Sequence, residues 1–237
     1  MTPCHPSLPR RPAGDRHRAG DRRSELLPRQ VTDPLASLAQ GAQQILRRPL
    51  SRREQDMFGK YLRLLVKWQK SQRLVGSGDP DWIVENLFLD SLLFLKVLPS
   101  PLRTLLDLGS GAGVPGIPLK IVLGEVDLVL VESRQKRVSF LSSALREIGL
   151  ENARVLGRRV EDAMDELEGR FDAVVMRCAG DLDEVMRVAA RLVVTPGGIV
   201  AAAGPPSPRP LALGDWVTVD TQREGRGTRR FAVYRIS

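Results

Sequence analysis

Cysteine and histidine are almost missing from this chain. Two cysteines in 237 residues, Cys4 and Cys178, provide neither a disulfide framework nor a zinc ligand set. The two histidines, His5 and His17, both fall in an irregular N-terminal stretch, which argues against a serine–histidine or cysteine–histidine catalytic pair. No apolar run reaches the roughly 18 residues that a membrane-spanning helix needs. The N-terminal stretch is rich in arginine, proline and glycine and has no apolar centre, so it does not read as a secretory signal. The expectation is a cytoplasmic, monomeric protein with no membrane partner and no metal site.

Negative charge is also short. The formal net charge is +8 and the pI about 10.2, a balance that suits a polyanionic partner such as nucleic acid. The excess is dispersed, however. Residues 1–34 hold seven arginines against four acids, and the rest is spread over Arg47, Arg48, Arg52, Arg53, Arg158, Arg159 and the tail residues Arg223, Arg226, Arg229 and Arg230. Solvated faces account for such a spread as well as RNA does.

With 42% hydrophobic residues the chain has enough apolar side chains for one sizeable core. Residues 1–34 carry six prolines among charges with little to bury, so they read as a disordered basic leader. Residues 35–100 read as a small helical region. Met57, Tyr61, Leu64, Leu65 and Trp68 recur on one helical face, behind a capping box formed by Ser51 and Glu54. After the Gly76–Pro80 turn a second apolar helix is expected from about Trp82 to Leu98, closed by Pro99 and Pro101. From 101 to 237 strand and helix patterns alternate, which predicts a largely parallel sheet with helices on both faces. Only Arg223–Thr228 separates the last two strands, too short for a helix, so they should form an antiparallel hairpin.

The motif richest in chemistry runs from Leu105 to Leu119. Apolar residues lead into Gly109, Gly111 and Gly113, with Asp107 two positions ahead of the first. A strand ending in such a turn lets a ligand lie against bare backbone, and the next helix should direct its first amides at the bound molecule. The segment Val126–Glu132 reads as the following parallel strand. It ends in an acid about 20 residues on, where a carboxylate can hold ribose hydroxyls. An adenosine-containing cofactor is implied. The dinucleotide fingerprint G-x-G-x-x-G serves a pyrophosphate, whereas here the spacing is D-x-G-x-G-x-G with no basic residue in the turn. That form resembles the first motif of class I S-adenosylmethionine-dependent methyltransferases; a nicotinamide cofactor remains the alternative.

Longer stretches narrow the resemblance. Gly109-Ser-Gly-Ala-Gly-Val-Pro-Gly-Ile-Pro-Leu119, Lys136-Arg-Val-x-Phe-Leu141, Arg159-Val-Glu161 and Met176-Arg-Cys178 resemble the RsmG (GidB) family, as do Tyr61, Leu64, Trp68 and Asp90-Ser-Leu92. The likeness covers residues 35–237. It implies a Rossmann-like α/β class I methyltransferase with a seven-stranded, mostly parallel sheet, a C-terminal antiparallel hairpin and a small N-terminal helical region. It also implies S-adenosyl-L-methionine as cofactor and N7 of a guanine in 16S ribosomal RNA, free or in a small-subunit assembly intermediate, as target. The motif acids and glycines Asp107, Gly109, Gly111, Gly113 and Glu132 are then the candidate cofactor residues. Val114, the Val160–Glu161 pair and Arg177 join them by position-for-position carry-over.

Guanine N7 offers an in-plane lone pair and loses no proton when alkylated, so no catalytic base is expected, only positioning in a dry site. The Arg177-Cys-Ala-Gly180 stretch after the fourth strand differs from the N-P-P-Y element usual for exocyclic amine methylation. Two departures from the family pattern stand out: Leu87 replaces a histidine, and Ala203 a lysine that would have faced substrate, with tail arginines as candidate substitutes. The alternatives are a methyltransferase of another RNA or a small molecule, or a cofactor-binding paralogue with little activity.

Overall fold

The computed structural model describes residues 33–177, 180–205, 209–223, 225 and 227–236. Most of the expected leader, and Cys178, therefore lie outside the described residues. Asp33 and Pro34, counted with the leader above, start the first helix instead. Asp33 caps α1 (Pro34–Leu46) by accepting the Leu35 N–H at 3.0 Å, and Pro34 fills the first turn, where a missing N–H costs nothing.

Helix α2 (Arg52–Gln72) begins with the expected capping box. The Glu54 N–H donates to Ser51 Oγ at 3.2 Å and the Ser51 N–H donates to Glu54 Oε2 at 2.6 Å. Its apolar face carries Tyr61, Leu64 and Leu65 into the core. The second apolar helix is not continuous. It starts at α3 (Pro80–Ile83), widens to a π-helical segment at Val84–Leu89, passes through α4 (Asp90–Leu92) and tightens to a 3₁₀ turn at Leu93–Lys96. Single π turns are rare and collect at functional sites because they re-aim backbone carbonyls. This one does so: the Asn86 carbonyl accepts a hydrogen bond from Arg177 at 2.6 Å.

The alternating half forms one seven-stranded sheet: β1 (Thr104–Leu108), β2 (Asp127–Val131), β3 (Ala153–Leu156), β4 (Ala173–Met176), β5 (Ile199–Ala203), β6 (Asp215–Asp220) and β7 (Thr228–Arg235). The spatial order is β3-β2-β1-β4-β5-β7-β6. The first five strands are parallel, and β7 runs antiparallel to both its neighbours, β5 and β6. The fold is thus the Rossmann-like arrangement with a reversed C-terminal hairpin. Helices α5 (Gly116–Leu123), α6 (Gln135–Ile148), α7 (Met164–Leu167) and α8 (Leu182–Ala190) provide the crossovers.

Strand alternation builds a core on each face. Leu105, Leu128, Leu130, Val175, Ala201, Phe231 and Val233 point to one face, where they share a continuous core with Leu38, Phe58, Phe88, Phe94 and Phe140. Leu106, Val129, Val174, Met176, Val200 and Ala232 point to the other, against Leu167, Met186 and Leu192. Helices α1–α4 therefore bury their apolar surface against the sheet itself. No helix among the described residues is long and apolar enough to cross a membrane.

Candidate active site

In this sheet the chain leaves β1 in one direction for β2 and β3 and crosses back to β4, so the strand order reverses at β1. The carboxyl ends of strands flanking such a reversal are where open α/β sheets bind ligands. The glycine turn lies there. Gly109, Gly111 and Gly113 have φ values of 71°, 57° and 87°, the left-handed region that favours glycine. A Cβ placed on Gly109 would meet no atom within 4 Å, so open space faces the backbone at this position.

Much of the turn is satisfied from within. The Ser110 N–H donates to the Val131 carbonyl at 3.0 Å and the Gly113 N–H to the Ser110 carbonyl at 2.7 Å. From below, the buried Tyr61 hydroxyl donates to the Ala112 carbonyl at 2.5 Å while its ring stacks on Phe88 at 5.1 Å. Burial, reinforced by the nearby Asp107, raises the Tyr61 phenol well above its usual range, so it stays a proton donor. Sequence periodicity marked Tyr61 only as core; its support of the turn emerges from the packing of α2 against α5 and α6.

Asp107 is fully buried and lines neither of the cavities described below. Its Oδ2 accepts the Gly116 N–H at 2.9 Å, capping α5 from nine residues upstream. A Cβ on Gly116 would come within 2.7 Å of that same oxygen, so glycine is required for the contact. Asp107, a candidate cofactor residue by sequence, thus fastens the turn to the helix through Oδ2, while its buried Oδ1 accepts no hydrogen bond among the described residues. The expectation for the first amides of α5 is corrected, since Gly116 N–H is held by Asp107 and Ile117 N–H by the Gly113 carbonyl. Burial is the main cause that pushes the Asp107 carboxyl up to about 7, with the Glu132 charge adding and the Gly116 N–H opposing.

Two cavities meet at the turn. The larger, about 570 Å³, is bordered by Gly109, Gly111, Val114, Arg137, Arg177, Ala203 and the start of β7. The second, about 370 Å³, is bordered by Gly109, Glu132, Arg137, Val160, Glu161 and the N-terminal part of α8. Gly109 and Arg137 border both. Glu132, just past β2, is 6% exposed and fixed by two amides: it accepts from Gly111 N–H at 3.0 Å and from Arg134 N–H at 2.8 Å, with Arg137 3.5 Å away. Val160 and Glu161 open the 3₁₀ turn after β3, where Glu161 is exposed. Gly111, Val114 and Arg177 border the larger cavity; Gly113 faces inward, toward Ile117 and the Tyr61 hydroxyl.

Arg177 follows β4 and reaches across to the helical region. Besides the Asn86 carbonyl it meets Asp90 Oδ2 at 3.5 Å, while Arg229 Nε donates to Asp90 Oδ1 at 2.5 Å. Asp90, Arg177 and Arg229 come from α4, the end of β4 and the start of β7. The sequence marked Asp90 only as part of a family motif, and Arg229 as one of several tail arginines that could stand in for the missing lysine. Ala203 does border the larger cavity, paired with Phe231 across β5 and β7. Leu87 does not; it is 4% exposed within the core, so this position faces apolar neighbours rather than substrate. Among the described residues no group of acids, histidines or cysteines could hold a metal ion.

Similarity to known proteins agrees with this geometry. A family described as rRNA small subunit methyltransferase G (GidB) matches residues 54–209. Proteins named Ribosomal RNA small subunit methyltransferase G are similar to this chain. That of Syntrophus aciditrophicus is 38% identical over 159 residues, covering 65% of this chain and 66% of the relative. That of Stenotrophomonas maltophilia is 39% identical over 143 residues, covering 60% and 65%. That of Desulforamulus reducens is 34% identical over 151 residues, covering 62% and 63%. The matched stretch thus spans slightly less than two thirds of these relatives. Among solved structures, a variant of MtNAS in complex with S-adenosylmethionine has a TM-score of 0.51 at 18% identity, covering 75% of each chain, a likeness of fold alone.

Proposed function

The chain belongs to the rRNA small subunit methyltransferase G (GidB) family, and from that premise we propose that it transfers the methyl group of S-adenosyl-L-methionine to N7 of a guanine in 16S ribosomal RNA. The observation that carries the proposal is the bare backbone at Gly109, bordering both cavities with Glu132 behind the turn. The residues present fit the cofactor. Glu132 has acceptor lone pairs for ribose hydroxyls, and Val160 with Glu161 offers an apolar and a polar edge to adenine. Gly109, Gly111 and Val114 border the space for the methionine part, and Arg177 supplies a guanidinium to its carboxylate.

When bound, S-adenosylmethionine supplies an electrophilic methyl group that the N7 lone pair takes, the electron pair of the broken S–C bond returning to sulfur and no proton leaving the base. The protein's share is positioning and exclusion of water. Asp90 is the acid bordering the larger cavity among the described residues, and Arg177 and Arg229 flank its two oxygens. It serves as their counter-ion, not as a base.

In the same proposal residues 33–100 brace the turn, residues 101–237 carry the methyltransferase site, and the leader ahead of Asp33 is dispensable. The protein works as a cytoplasmic monomer on 16S RNA or a small-subunit assembly intermediate. Ala203 at the cavity favours one second reading, a cofactor-binding relative with little turnover. Calorimetry with S-adenosylmethionine and with NAD, then mass analysis of 16S RNA from cells lacking the gene, tests both. The expected result is heat with S-adenosylmethionine alone and loss of one 7-methylguanosine. Tight NAD binding without S-adenosylmethionine binding overturns the proposal; cofactor binding with an unchanged RNA supports the second reading.

A further inference from the structure

The positive charge along the larger cavity exceeds what its proposed cofactor can neutralise. S-adenosylmethionine carries a sulfonium and an ammonium against one carboxylate, a net cation. Yet Arg177 and Arg229 both lie on this wall and share a single carboxylate, Asp90. Their side chains stay 24% and 42% exposed, while that of Asp90 is 10% exposed. With Arg177 given to the carboxylate of the cofactor and Asp90 a single counter-ion for both arginines, the exposed side at Arg229 keeps a positive excess that calls for a further anion.

The two arginines are not equivalent. Arg177 follows β4, which pairs directly with β1 and its glycine turn. Arg229 stands on β7, two strands further along the sheet, where Ala203 of β5 and Phe231 of β7 pair across the same cavity. Alternation along β7 puts Arg229 on the face of Phe231 and Val233, toward the helical region that carries Asp90. Asp90 thus bridges a cation beside the turn and a cation at the far wall.

We propose that Arg229 is a substrate-binding residue that takes a backbone phosphate beside the target base, and that Asp90 is the positioning residue that ties it to Arg177. The proposal rests on the methyltransferase function given above. It assigns the phosphate contact to β7, on the wall where β5 presents only the methyl group of Ala203. An exposed guanidinium meets phosphate oxygens in a charge-assisted hydrogen bond, and each phosphate neutralised adds close to one unit to the salt dependence of RNA affinity.

The test is binding of the full chain to 16S RNA from cells lacking the enzyme, measured across a series of salt concentrations, with cofactor affinity determined separately. Arg229→Ala should weaken RNA binding about tenfold and flatten the log–log salt slope by about one, with cofactor affinity unchanged within about twofold. Arg229→Lys should keep the slope. Asp90→Asn should keep or steepen the slope while kcat falls several-fold, which a purely structural role would not do, and Asp90→Glu should recover kcat. If the alanine variant loses cofactor binding, Arg229→Gln, which retains a donor toward Asp90 without the charge, carries the same comparison. A wild type that methylates the RNA beside a neutral Arg229 variant of unchanged affinity and slope overturns this assignment alone. A wild type that binds cofactor but methylates no RNA overturns the function beneath it as well.

Discussion

The two sides of the site are built on different plans. The cofactor side is local: β1, the glycine turn, Glu132 after β2 and the Val160–Glu161 turn after β3 follow one another within a short stretch of chain. Its polar groups are largely paired with each other, Gly111 with Glu132 and Gly116 with Asp107. The substrate side is assembled from afar, with Asp90 and Arg229 separated by 139 positions. Its excess of guanidinium over carboxylate faces outward. One side is thus internally paired and preorganised, the other left with a cationic excess, in keeping with the small ligand and the polyanion proposed for them.

The largest expected effect breaks this division from the cofactor side. Glu132→Ala removes the acceptor proposed for the ribose, which also fixes the Gly111 and Arg134 amides. Two charge-assisted hydrogen bonds at roughly 1.5 kcal/mol each predict a loss of about a hundredfold in cofactor affinity by calorimetry, with RNA affinity little changed. Equal loss of both would mean that the two sides are not separable.

Asp107 sharpens the comparison through pH. Its folded-state value is raised to about 7 from an unfolded value of 3.8, so the native state binds the proton more tightly. Stability from this group is therefore fullest at acid pH and declines as pH rises from about 4 to 7, by an amount on the order of a few kcal/mol at most. Asp107→Asn cannot titrate. Its melting temperature should rise relative to wild type between pH 5 and pH 8, and parallel curves would count against a buried, titrating Asp107.

Tyr61→Phe probes the bracing of the turn by α2. It leaves the Ala112 carbonyl without its donor at a cost of about 1–2 kcal/mol, read as a lower melting temperature and a several-fold weaker cofactor. Unchanged cofactor affinity would confine Tyr61 to the core. The smallest effect concerns Ala203. With Arg229 in place, Ala203→Lys should change RNA affinity less than about twofold, because like charges crowd one wall. In the Arg229→Ala background the same substitution should recover a few-fold, and equal gains in both backgrounds would show that the two positions act independently.

What the sequence made legible follows the same division. The seven strands, the reversed hairpin, the capping box at Ser51 and the glycine turn all depend on neighbours within a few residues, and each stands where its pattern placed it. The contact of Asp107 with Gly116 was not legible because one spacing serves two ends: an acid ahead of a glycine turn can meet a ligand or cap the following helix. The π turn at Val84–Leu89 leaves no local signature, and the partner of its Asn86 carbonyl, Arg177, lies 91 positions away. The Asp90–Arg229 pair was invisible for the plainest reason, that nothing in either neighbourhood names its partner.

The placement of β7 also bears on how the protein is made. Among the described residues strand β6 pairs only with β7, and β7 joins it to β5. During synthesis β5 and β6 leave the ribosome first and have no strand between them to bind. Until β7 arrives, β5 is an open sheet edge, the kind of surface on which nascent chains stick to one another. The same late strand brings Arg229. A nascent chain completes the glycine turn early, and it acquires the arginine proposed to hold RNA in the same event that closes the β5 edge.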